Sequence, residues 1–193
     1  MRTLTFTALL SAALLCAGCG DTSSGPSPSK VFITQIQTSA GLASRTFASG
    51  PLNSDVLTAG SIVDDLAQVS FQLTLKDPGV PGNTNQPSVL NAVTFTRYHV
   101  DFRRADGRNT PGVDVPFSFD AAQTFTVQDK IDIIVELVRH VAKAEAPLAA
   151  LAADRNIIST IATITFYGKD QAGNNVIVTG QVQVNFGNFA DPT

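Results

Sequence analysis

From Ala67 to Lys76 apolar and polar residues alternate strictly: Ala67, Val69, Phe71, Leu73 and Leu75 against Gln68, Ser70, Gln72, Thr74 and Lys76. Successive side chains of a strand point to opposite faces, so this stretch predicts a strand with one buried and one wet face. Clean alternation marks an antiparallel sheet, because strands buried on both faces read as continuous apolar runs. The same period returns along the chain. Residues 31–38 form a short β-like run. Val93 and Phe95 share one parity while Tyr98, Val100 and Phe102 share the other, which implies a bulge near Thr96 and Arg97. Val113, Val115, Phe117 and Phe119 alternate again, and Pro116, with no N–H to give a ladder, assigns that strand to a sheet edge. Phe125 and Val127 continue the pattern. Ala162, Ile164 and Phe166, a turn over 170–175, and Val176, Val178, Val182, Val184 and Phe186 predict a closing hairpin, with Gly180 in register.

Between these runs the punctuation is dense. Gly41, Gly50-Pro51, Asn53 and Gly60 predict loop over 39–65, with a short edge strand near Val56. The Pro, Gly and Asn of 77–87 predict a long turn-rich loop without strand or helix, Asp106-Gly107 signals a hairpin, and Pro111-Gly112 a turn. Residues 130–143 fit both periods, but six β-branched residues favour a strand as far as about Arg139. The alanines of 144–152, with Pro147 suited to a first turn, predict one short helix in this late connection. About seven alternating strands separated by turns predict an all-β fold, an antiparallel sandwich.

The first residues follow another logic. Arg2 precedes an apolar run over 4–15 that is too short to span a bilayer, and small residues follow it, the pattern of a secretory signal peptide. Leu15-Cys16-Ala17-Gly18-Cys19 resembles a bacterial lipobox, with Cys16 where that motif prefers Leu. The resemblance implies cleavage after Gly18 and acylation of Cys19; ordinary cleavage to a soluble secreted product is the alternative. Cys16 and Cys19 also have C-x-x-C spacing. A redox pair needs a folded site that lowers a thiol pKa, and these two lie at the end of a leader and would be parted by its removal. Both cysteines of the chain are then spoken for, leaving the mature domain no thiol nucleophile, disulfide or Cys-bound metal.

Residues 20–30 hold no apolar side chain apart from proline and read as a tether with a reach of roughly 18 Å. The organisation expected is therefore a leader over 1–18, a lipidated Cys19 with its tether over 19–30, and one folded domain over 31–193, long enough for a self-sufficient core. Gly20 after the acylated cysteine, by resemblance to enterobacterial sorting, implies the outer membrane rather than the inner one. The net charge of −3 argues against nucleic acid, which selects a clustered basic face.

The hairpin around Asp170, Gln171, Ala172, Gly173 and Asn174 resembles the last two strands of bacterial immunoglobulin-like or fibronectin III-like domains. The run from Arg97-Tyr98-His99-Val100-Asp101 to Val115-Pro116 is similar to a group of uncharacterised bacterial lipoproteins. These resemblances cover about half the mature chain and imply an immunoglobulin-like β-sandwich, not an activity. With no Trp and no cysteine pair in the domain, it is not of the antibody type.

Candidate chemistry is sparse. Nucleophile-elbow, zincin, phosphate-loop and EF-hand spacings are absent from the sequence. Arg97, His99, Asp101 and Arg103 lie at i, i+2 spacing on one strand face, either an anion-binding or proton-transfer patch or a solvated face with cross-strand ion pairs. Asp170, Asn174 and Asn175 offer oxygen ligands to Ca²⁺, although Asp and Asn also favour turns. No cofactor is implied. Two classes of function follow: a lipid-anchored, non-catalytic envelope module that binds or spaces an envelope protein or polymer, and a hydrolase or metal-dependent enzyme built around His99, Asp101 and Asp114. In an immunoglobulin-like sandwich the chain start shares an end with the loops over 77–88 and 169–175, so a short tether would turn those loops to the membrane and 105–112 and 144–155 away from it.

Overall fold

The computed structural model describes residues 25–41 and 46–189. The leader and Cys19 lie outside the described residues. Strands β1 (Ser29–Ser39), β3 (Asp65–Leu75) and β8 (Lys130–Val138) form one sheet in the order β1-β3-β8. Strands β2 (Leu52–Asp55), β6 (Val93–Arg103), β7 (Phe119–Val127), β9 (Ile158–Asp170) and β10 (Asn175–Gly187) form a second in the order β2-β10-β9-β6-β7. A separate ribbon, β4 (Gly79–Val80) with β5 (Asn83–Thr84), stands on the connection from β3 to β6. The fold is all-β and the two sheets pack as a sandwich. In immunoglobulin lettering β1, β3 and β8 occupy the places of A, B and E, and β6, β7, β9 and β10 those of C, C′, F and G. All pairings within the two sheets are antiparallel except β2 with β10, which is parallel: after β1 the chain crosses to the edge of the other sheet.

The alternation of β3 holds, with Ala67, Val69, Phe71 and Leu73 buried. Phe71 meets Phe166 of β9 edge-on at 4.9 Å between ring centroids and Phe125 of β7 at 5.1 Å, while Phe95 of β6 stacks on Phe125 at 5.2 Å. The facing sheets thus share an aromatic centre in the offset and edge geometries that ring quadrupoles favour. The bulge expected near Thr96 and Arg97 is present as a register shift between Phe95 and Arg97 against both neighbours of β6. Gly180 of β10 lies under Ile33 and Ile36 of β1, where a Cβ would come within 2.8 Å of both Cδ1 atoms.

Several expectations are corrected. Residues 104–118 form one long loop joining β6 to β7, not a tight hairpin followed by a strand at Val113. Pro111, Gly112 and Pro116 interrupt any ladder, so of the alternating residues Val115 enters the core while Val113 and Phe117 are exposed. The 77–87 loop carries the β4–β5 ribbon, closed by the Asn85 N–H on the Pro78 carbonyl. The late helix is displaced: α1 (His140–Lys143) comes directly after β8, started by Asp64, whose Oδ1 accepts the His140 N–H at 2.5 Å. The alanines follow as a 3-10 turn, Leu148–Ala153, pinned by buried Leu148 and Leu151. The body begins earlier than Val31. Ser29 already pairs with Leu75, Ser27 and Ser29 are buried, and the Ser29 hydroxyl donates to the Asn91 carbonyl at 2.7 Å.

Candidate functional site

The residues nominated for catalysis do not converge. His99 lies opposite Asp120 of β7, and its Nδ1 is 3.3 Å from Asp120 Oδ2, while Arg97 Nη1 is 3.2 Å from Oδ1 of the same carboxylate. Asp101 is engaged by Arg103 along its own strand at 3.0 Å. Asp114 lies in the 104–118 loop, where Oδ2 accepts the Thr110 N–H at 3.1 Å. The patch is a solvated sheet face with cross-strand ion pairs, each worth about 0–1 kcal/mol. Asp120, whose carboxylate lies against both Arg97 and His99, carries no signal in the sequence because only register brings it opposite them.

The Asp170 turn is likewise committed. Oδ1 accepts the N–H groups of Ala172 at 3.0 Å and Asn174 at 2.8 Å, and Oδ2 accepts from the Asn174 amide at 2.9 Å. The Asn174 amide foremost, with those backbone donors and the Ser27 hydroxyl, holds this carboxyl below its ordinary value against the opposing effect of burial. Asn175 is already the first residue of β10, paired with Lys169. The carboxylate is occupied by N–H donors that close the turn, and cation ligation would compete with all of them. Among the described residues no group of three or more His, Cys, Asp or Glu side chains is placed to hold a metal ion.

The buried polar cluster is elsewhere. Lys143 Nζ of α1 lies 2.9 Å from Asp65 Oδ2, with both side chains wholly shielded from solvent, and also donates to the Asp55 carbonyl at 2.9 Å. The Ser54 hydroxyl donates to Asp65 Oδ2 at 2.5 Å and the Gly41 N–H to Oδ1 at 3.0 Å. Burial pushes the Asp65 carboxyl up, opposed by Lys143, Ser54 and Gly41. Serine, lysine and aspartate in one network suggest nucleophile chemistry, but no substrate reaches a closed site. The cluster ties β2 of one sheet to β3 of the other and to α1.

An open groove lies at the opposite end. Of about 880 Å³, it runs along the outer face of the larger sheet, from the β6 bulge to the β9–β10 turn, lined by Thr96, Arg97, Tyr167, Lys169, Gln171 and Ile177 among others. The Arg97 guanidinium covers the Tyr167 ring at 3.9 Å from its centroid. Gly168 forms part of the lining because the bulge brings Thr94 O and Phe95 against it: a Cβ there would lie 2.6 Å from that carbonyl. This end is also where the chain enters. Lys76 Nζ donates to the Gly25 carbonyl at 2.7 Å, and the Gln171 amide donates to the Ala92 carbonyl at 3.3 Å. The entry, the 76–92 connection and the β9–β10 turn are therefore neighbours.

No protein-family model matches the chain, and no curated protein matches it. Among solved structures it is similar to the solution structure of a late embryogenesis abundant (LEA) protein, at 11 % identity over 82 % of this chain and 71 % of that one, with a TM-score of 0.40.

Proposed function

We propose that this chain is a lipid-anchored protein of the bacterial cell envelope, held by acylated Cys19, whose sandwich serves as a non-catalytic binding or spacer module. The observation that carries the reading is Leu15-Cys16-Ala17-Gly18-Cys19 directly after a short apolar run with a basic start. The committed state of His99, Asp101 and Asp114, each held by a different neighbour, supports a module over an enzyme at that place. Gly20 favours the outer membrane. A single acyl chain anchors marginally, and two or more make attachment stable.

The test is detergent phase partitioning with intact-mass measurement after expression in a bacterial host, native chain against Cys19→Ser. The native protein is expected in the detergent phase with an acyl-sized mass increment, and the variant in the aqueous phase. Aqueous partitioning of both at unmodified mass would reject the anchor.

A further inference from the structure

We propose that the end of the sandwich at which the chain enters is itself a docking surface for an anionic lipid bilayer. Val80, Val89 and Leu90 enter its headgroup region, and Lys30, Lys130 and Lys169 meet its phosphates. The three apolar side chains are 62, 67 and 77 % exposed. All stand on the connection from β3 to β6, Val80 on the β4–β5 ribbon and Val89-Leu90 on the 3-10 turn Val89–Asn91, which the Ser29 hydroxyl fixes beside the chain entry. Large apolar side chains standing outward from a short connection are unfavourable in water and favourable at the boundary of a bilayer.

The cations are distributed to match. Of the five lysines in the chain, Lys143 is in the buried ion pair, and the other four are exposed at this end. Lys30 pairs with Thr74 and Lys130 with Gln72 on the smaller sheet, Lys169 pairs with Asn175 on the larger, and Lys76 follows β3 directly. Arg103, Arg104, Arg108, Arg139 and Arg155 lie on the loops and strand ends of the opposite end. Lysine carries a hydrated point charge on a flexible stem, which suits a mobile headgroup layer better than a fixed guanidinium fork. The acidic groups at the entry end are Asp77, turned onto the Gly79 N–H, Asp170, closed in its turn, and Asp129. Asp132 adds a fourth carboxylate one pleat along β8 from Lys130, so four lysines face four carboxylates there, two of which, Asp77 and Asp170, are turned onto backbone N–H groups.

The occupant follows from the chain that leads away. The residues before Gly25 include the apolar run and Cys19, and Gly25 is seated over this face by Lys76 and beside the Asn175 carbonyl. The inference deepens the anchored reading and rests on it for which surface is presented; lipid affinity of this face does not require acylation.

The full chain carrying Cys19→Ser, free of acyl groups, would be sedimented with vesicles of phosphatidylcholine alone or mixed with phosphatidylglycerol. Binding is expected to be on the order of tenfold tighter on the mixed vesicles and to weaken with salt. Replacing Lys30, Lys130 and Lys169 together by Gln removes that preference. Val89→Ser with Leu90→Ser weakens binding to both compositions several-fold and keeps the preference. The same charge change at the far end, Arg103→Gln with Arg108→Gln and Arg155→Gln, keeps both. Equal binding to the two compositions, or a far-end variant that loses as much preference as the lysine variant, overturns the proposal. An unmodified mass at Cys19 with the vesicle preference intact would reject the anchor and leave the docking surface standing.

Discussion

Lys143 is one of five lysines, and its ammonium is the one taken wholly out of water. A buried ion pair is often no better than an apolar pair of the same shape, but removing one partner strands the other charge. Lys143→Met is therefore expected to destabilise the fold by about 3–5 kcal/mol, and Lys143→Met combined with Asp65→Asn by less, because no bare carboxylate remains. Equilibrium denaturation of the three chains measures this. Tyr98 supplies the pH dependence. Its hydroxyl donates to the Glu136 carbonyl at 3.3 Å and accepts the Glu136 N–H at 3.2 Å, joining the two sheets, and burial pushes its pKa up to about 12. A group raised in the folded state contributes stability that is whole below its unfolded pKa, near 10, and is lost as pH rises through about 12. Tyr98→Phe should cost about 1 kcal/mol at neutral pH and lose stability less steeply than the native chain between those two values, measured by denaturant titration across that range.

Among the elements, the edge strands and the bulge bear the most consequence. β8 is an edge of the smaller sheet, and side chains take up part of its outward backbone: Tyr98 at Glu136, and the Gln123 amide on the Ile134 carbonyl at 3.0 Å. That cover suppresses the strand addition an open edge invites. The bulge in β6 was legible because a parity flip within one apolar run has a single geometric meaning: one residue more on that strand than on its neighbours. Its partner Gly168 was not, since nothing in the sequence says that the Thr94 carbonyl lies where a Cβ would be. Gly168→Ala is expected to cost about 1–3 kcal/mol, because the atom in the way is backbone. Gly180→Ala should cost less, because the atoms there are the ends of two isoleucine side chains that can turn. Paired denaturation midpoints decide between them, and equal losses would contradict this account.

At the scale of the whole molecule, the two ends of the sandwich are chemically different. One carries the chain entry, the exposed lysines and the 76–92 connection; the other carries the 104–118 loop, where Arg104 and then Arg108 hold the Asp106 carboxyl well below its usual range. On the anchored reading the first end faces the bilayer. Trypsin added to liposomes bearing the acylated protein is then expected to cut after Arg108 several-fold faster than after Lys76, a bias that Cys19→Ser reduces to what docking of the entry end alone sustains; mass mapping of the fragments reads it. The strand periods and most of the turn residues were settled by the sequence alone, because backbone alternation and restricted dihedrals are local properties of consecutive residues. Local pattern also misled at Val113 and Phe117, where alternation had no neighbouring strand to pair with. Pairing was decided by the tertiary structure alone: Asp120 between Arg97 and His99, Lys143 against Asp65, β2 parallel to β10, and four lysines gathered at one end. Each joins residues far apart in the chain, and only the closing of two sheets over one core brings them within reach.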